Sequence, residues 1–140
     1  LMSEGYWKWR GQLSQRKKDA EKYDQQIINC MAKHGWEHVG AATEDEDMKQ
    51  KWDHAYIKHA GTEEEVFALV DHKLGGVRDD HIKWINKHGK SHGVTHYCFA
   101  TINKHTNKVT NLRLMTVEHF MSNKKRLVNR SSGEVFWLPR

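Results

Sequence analysis

Proline and cysteine are nearly missing from this chain: Pro139 is the one proline, and Cys30 and Cys98 are the two cysteines. Two thiols so far apart fit neither a disulfide framework nor a CxxC metal pattern. Their neighbours are apolar, so they read as buried thiols in a reducing compartment. No apolar run approaches the ~18 residues of a membrane span, and Leu1-Met2-Ser3-Glu4 has no signal-peptide pattern. The expectation is a soluble cytoplasmic protein with no membrane partner. There is no Ser/Gly-rich linker and no internal repeat, so residues 1–140 read as one domain. Gly89-Lys90 lacks the upstream glycines of a phosphate-binding loop. Gly89 and Gly93 set His88 and His92 in a loop with no cysteine nearby, which argues against a zinc finger.

Positive charge is present in excess. Lys and Arg number 23 against 18 Asp and Glu, a net charge of +5. A basic surface favours polyanions such as nucleic acid. The charge gathers near both ends, among aromatic residues. Lys8, Arg10 and Lys17, then Lys124, Lys125 and Arg126, are candidates to grip a sugar–phosphate backbone, with Trp7 or Trp9 stacking on bases. The alternative is that the aromatic residues pack in the core or a dimer interface while the charges are solvated.

Hydrophobic periodicity predicts a helix over residues 14–34, with Ala20, Tyr23, Ile27 and Met31 on one side and Gly35 as its stop. Asp24 falls on that apolar side, where a carboxylate needs a partner or a task. Residues 36–42 read as a short strand, and Glu44 to Asp47 as an acidic loop or first helical turn. Trp52 to Ile57 reads as a strand. Val66 to Val70 is the strongest strand, and its continuous apolar run implies burial on both faces. Residues 81–86 fit a strand or a helix. Thr95 to Asn103 and Val109 to Met115 read as strands joined by a turn at residues 105–108, and a short helix begins at Val117. The order predicts an α/β fold with a central mixed sheet.

The strongest strand runs into Asp71-His72-Lys73. Alternate residues share a face, so Asp71 and Lys73 point the same way. Asp53 starts the preceding strand, and a hairpin pairing brings it close to Asp71. Two carboxylates hold Mg²⁺ or Mn²⁺ with waters and substrate phosphate, and a lysine can stabilise charge on the phosphorane or orient the water. The neighbours His54 and His72 alternate away from these acids and read as structural, with a general-base role as the alternative.

This order of Asp53 and Asp71-x-Lys73 at the end of an apolar strand resembles the PD-(D/E)XK nuclease superfamily. A preceding helix with a core-side acid, ending in Lys33-His34-Gly35-Trp36, is similar to archaeal-type Holliday junction resolvases and small phage endonucleases. The resemblance implies a restriction-endonuclease-like core, a central mixed β-sheet flanked by helices. It also implies divalent-metal-dependent hydrolysis of phosphodiester bonds. Asp53 and Asp71 would bind the metal, Lys73 would assist catalysis, and Asp24, with Glu21 as runner-up, would supply a third acid. Trp52 stands where the family usually has proline, and Asp71 where it usually has glutamate. DNA is the expected partner, with RNA as the alternative, and a two-fold dimer would suit symmetric cutting. Two other readings are a nucleic-acid-binding module without catalysis and a phage protein that binds a host enzyme.

Overall fold

The backbone of the fold is the alternation of buried residues along adjacent strands. A computed structural model describes residues 21–89 and 92–140. The described part of helix α1 covers residues 21–33. Tyr23, Ile27 and Met31, one helical turn apart, are its buried stripe. The helix ends at Gly35, whose φ of 86° is the left-handed conformation a glycine adopts without penalty. Residues 14–20 of the predicted helix lie outside the described residues.

Strand β1 (Trp36–Ala41) follows, then helix α2 (Glu44–Gln50), β2 (His54–Lys58), β3 (Val66–Lys73), β4 (Val77–Arg78) and helix α3 (Asp79–His88). The chain continues through β5 (His96–Asn103), β6 (Lys108–Thr116), helix α4 (Val117–Asn123), β7 (Lys124–Val128) and β8 (Val135–Pro139). The acidic run at 44–47 is the first turn of α2. Thr43 caps it, accepting from the Glu46 N–H while the Glu46 carboxylate accepts from the Thr43 N–H. Four acids at the positive end of that short helix dipole suit the placement. Residues 81–86, ambiguous in sequence, are helical, with Ile82 and Ile85 buried.

A five-stranded sheet has the order β1-β2-β3-β5-β6. Only β3 and β5 run parallel, and α3 lies in the crossover between them. The sheet is therefore mixed and the fold α/β. One apolar cluster joins Ile27 and Met31 of α1 to Tyr56, Ala68, Val70 and Cys98. A second, on the other face, joins Ala55, Tyr97 and Phe99 to Ile82 and Ile85 of α3 and Phe120 of α4. Cys98 is buried as expected, whereas Cys30 is partly exposed. Burial of β3 is also less complete than its apolar run implies: Val66 and Phe67 are 41% and 54% exposed, because cover on both faces begins only further along the strand.

The basic C-terminal segment forms a separate three-stranded sheet, β4-β8-β7. Trp137 of β8 anchors it to α3, donating from Nε1 to Asp79 Oδ1 over 2.8 Å.

Candidate functional site

β2 and β3 pair antiparallel with His54 opposite Val70, which sets Asp53 at the end of the ladder beside Asp71 and His72. The backbone of Asp53 is tied on both sides. Its N–H donates to Val70 O over 2.9 Å, and its C=O accepts from the Ala42 N–H over 2.7 Å. The Asp53 side chain accepts from the His72 N–H at 3.0 Å through Oδ2 and also hydrogen bonds with the Asp71 carboxyl. Lys73 Nζ lies 3.0 Å from Asp71 Oδ2, and Asp71 is 5% exposed. The hairpin expected from sequence thus brings Asp53, Asp71 and Lys73 together.

Crowding two carboxyls in a half-dry pocket has an electrostatic consequence. Burial, then the Asp71 charge and the hydrogen bond to it, push Asp53 far above the usual carboxylate range. These effects favour the neutral form of Asp53. Burial opposes the charge on Lys73, but the Asp71 charge and hydrogen bond outweigh it and raise its pKa. The lysine is therefore an ammonium at neutral pH.

On the parallel ladder, Asp71 lies opposite Tyr97 and His72 opposite Cys98. These partners belong to different apolar clusters, so Asp71 and Lys73 face α3 while His72 faces α1. Asp24 is on the His72 side. Its Oδ1 accepts from His72 Nδ1 at 3.1 Å and its Oδ2 from His54 Nε2 at 3.2 Å. The two imidazoles stack with centroids 4.4 Å apart and planes 15° apart. His54 Nδ1 lies 3.0 Å from His38 Nε2, and His72 Nε2 lies 2.9 Å from the Tyr56 hydroxyl. One set of neutral tautomers satisfies every contact: Tyr56 O–H and His38 Nε2–H donate outward-in, and both inner ring N–H groups donate to Asp24. Burial raises Asp24, but its hydrogen bonds to His54 and His72 and their charges win and hold it at about 2. Burial lowers His72, with the Asp24 hydrogen bond opposing, and lowers His38 likewise.

The acid expected to complete the Asp53–Asp71 cluster is thus bonded to two histidines across β3. His54 and His72 do turn away from Asp53 and Asp71 as alternation requires, but they turn into a polar network rather than a bland core. Asp53 bridges the two sides. It lines a cavity of about 270 Å³ together with Asp24, His54, His72, Asp47 and Glu21, the runner-up acid.

A second cavity, about 290 Å³, opens beside Lys73 and is lined by Lys51, Arg78, Asp80, His81 and Trp84. Lys51 Nζ lies 5.4 Å from the Trp84 ring centroid. His81 Nε2 is 2.8 Å from the Tyr97 hydroxyl, and burial together with the Lys73 charge lowers its pKa to about 4, leaving it neutral. Sequence reasoning missed this group because its members come from the end of α2, from β4 and from α3, and no local spacing links them. Of the basic candidates, Lys124, Lys125 and Arg126 lie on β7. Lys124 packs over Trp137 and donates to Met121 O, so it holds the second sheet to α4. Lys8, Arg10 and Lys17 lie outside the described residues.

No protein-family model, curated protein or solved structure matches this chain, so its site is argued on its own chemistry.

Proposed function

We propose that this protein is a divalent-metal-dependent nuclease of the PD-(D/E)XK type, with Asp53, Asp71 and Lys73 as its catalytic set and DNA as its substrate. The observation that carries the reading is the Asp53–Asp71–Lys73 cluster: two hydrogen-bonded carboxyls and an ammonium 3.0 Å from one of them, at the end of a covered strand. Further support comes from element order. A helix, a strand acid and a strand ending in Asp-x-Lys occur in one mixed sheet with helices on both faces.

The donor set fits Mg²⁺ or Mn²⁺. Hard cations prefer carboxylate oxygens, and a cation would offset the charge repulsion between these two crowded carboxyls. When bound, the metal would supply Lewis acidity toward the phosphate and a lowered pKa for bound water. The chain's own groups do the rest. Asp53 and Asp71 would hold the ion. Lys73 brings a fixed positive charge to the developing negative charge of the phosphoryl group. Lys51 and Arg78, in the cavity beside Lys73, add positive charge where the strand's phosphates would run, and Trp84 adds an aromatic surface.

The test uses supercoiled, linear and branched DNA with Mg²⁺, Mn²⁺ or EDTA. Cleavage should require the metal, and Lys73→Ala should abolish it while DNA binding persists. A wild-type protein that binds DNA but leaves every substrate intact with either metal would instead be a nucleic-acid-binding module.

A further inference from the structure

We propose that Asp24, His54 and His72 form a separate metal site, across β3 from the Asp53–Asp71 pair, that takes a first-row transition metal ion of the zinc type. This inference stands whether or not the carboxylate pair cuts DNA.

The three donors converge from three elements: Asp24 from α1, His54 from β2 and His72 from β3. His72 Nδ1 is 3.1 Å and His54 Nε2 3.2 Å from the two Asp24 oxygens, and one ligand atom from each residue lies within 4.8 Å of the others. Ligands held ~2.0–2.2 Å from a tetrahedral zinc ion stand about 3.3–3.6 Å apart. Each aspartate–histidine separation, to its own Asp24 oxygen, lies a few tenths of an ångström inside that spacing, and the spread of up to 4.8 Å across the three donors closes as the ion draws them in. Two imidazoles with one carboxylate suit zinc and its first-row neighbours, whereas the all-carboxylate pair across the strand suits a harder ion. The two sites are therefore chemically distinct.

The outer nitrogens carry the second argument. Histidines that bind metals keep a hydrogen-bond partner on the far ring nitrogen, which raises their basicity as ligands. Here His38 holds His54 at 3.0 Å and Tyr56 holds His72 at 2.9 Å. Ligation needs a lone pair on each inner nitrogen, so each inner proton must move to the outer one. Both outer partners tolerate this: the Tyr56 hydroxyl and the His38 ring nitrogen accept as well as donate. The proton count of the two ligating rings is unchanged.

One movement is required. Nitrogen lone pairs lie in the ring planes, and planes only 15° apart in a stack cannot both pass through one ion. The rings must open by rotation about χ2, a torsion with a broad minimum in histidine. The adjoining 270 Å³ cavity gives room for that rotation and for water on the open side of the ion. Three protein ligands with an open position is the arrangement of a reactive zinc site rather than a closed structural one.

The experiment titrates the full chain, freed of metal by chelator dialysis, with Zn²⁺ and with Co²⁺ as a spectroscopic probe. In excess Mg²⁺, which would compete for the carboxylate pair, wild type should bind one tight equivalent, with X-ray absorption showing two imidazole ligands and one carboxylate oxygen. His54→Gln and Asp24→Asn should weaken binding about a hundredfold, and Tyr56→Phe about tenfold. Asp71→Asn should leave Zn²⁺ affinity unchanged. No stoichiometric binding, equal binding by His54→Gln, or loss of the ion on Asp71→Asn would each overturn the site. If Asp24→Asn does not fold, X-ray absorption on the wild type decides, and fewer than two imidazoles would end the proposal.

Discussion

The two faces of β3 hold carboxylates in opposite electrostatic states. On the α3 side, Asp53 meets Asp71 and its pKa climbs; on the α1 side, Asp24 meets two imidazoles and its pKa falls. Burial raises both acids. What differs is the neighbour: a second carboxyl adds to the cost of ionisation, while two N–H donors more than repay it. A single strand thus separates two crowded carboxyls that share one ammonium, Lys73, from an acid bonded to two imidazoles. The first is short of positive charge, and the second ties α1 to β2 and β3. Substitutions on each face should therefore act on different properties.

The largest effect expected is on the nuclease activity proposed for the α3 face. Asp71→Asn should lower Mg²⁺-dependent DNA cleavage by about a thousandfold, in the range seen when one preorganised electrostatic group is removed. Under the proposed function DNA binding should stay near normal, because contacts to a phosphate backbone would come from cationic side chains. The substitution keeps the size of the residue, so circular dichroism should report an unchanged fold. Unfolding of Asp71→Asn would instead make the Asp71–Lys73 pair a structural ion bridge.

Next is stability on the α1 face. Asp24→Ala orphans the inner N–H groups of His54 and His72, whose side chains are 10% and 3% exposed. A buried donor without a partner costs about 1–3 kcal/mol. The α1 contact is partly open to water, so urea unfolding should show a loss of about 2–3 kcal/mol. If Asp24→Ala is as stable as wild type, water has replaced the carboxylate and the tie across that face fails.

Asp53→Asn should move stability the other way. The Asn oxygen can accept from the His72 N–H, and its amide can donate to Asp71, so both bonds survive without a proton. A raised folded pKa means the fold favours neutral Asp53. The resulting stability is fully present below the ordinary carboxyl value of 3.8 and is lost as pH rises toward the raised value. Metal-free wild type should therefore lose stability across the neutral range, and Asp53→Asn should flatten that slope and gain about 1–2 kcal/mol at pH 8. Asp24 has the opposite sign: its contribution is present above 3.8 and is lost as pH falls toward about 2. Thermal melts between pH 2 and pH 9 separate the two, since each variant should alter one limb of the profile alone.

The two faces were not equally legible in the sequence. Asp53, Asp71 and Lys73 meet through one hairpin, and strand alternation near the end of an apolar run is enough to bring them together. Asp24 could be read as a polar residue on an apolar helix side, but not which strand residues it would face. That depends on α1 docking on the His72 side of the sheet, a long-range choice made by Ile27 and Met31 against Ala68 and Val70. His54 and His72 look idle in sequence because their partners, His38 on β1 and Tyr56 on β2, are set by strand register. The second sheet was unreadable for a related reason. Its central strand β8 pairs with β7 and with the two-residue β4, and a strand as short as Val77–Arg78 has no periodicity to detect.

The smallest effect tests how rigid the α1 face is. Tyr56 is fully buried, and burial raises its pKa, so its hydroxyl stays protonated and donates to His72 Nε2 over 2.9 Å. Tyr56→Phe removes that donor and leaves a buried ring nitrogen unpaired, at a cost of about 1 kcal/mol. Moving the His72 proton outward would give that nitrogen no partner, since phenylalanine has no oxygen to accept it, and would break the bond to Asp24. The Asp24 charge forbids that exchange, so His72 should keep its proton on Nδ1. Nitrogen-15 shifts of the His72 ring in Tyr56→Phe read this directly. An unchanged tautomer with a modest drop in melting temperature would show that Asp24 alone sets the ring. A switch to the Nε2 tautomer would show that the hydroxyl, not the carboxylate, holds the face together.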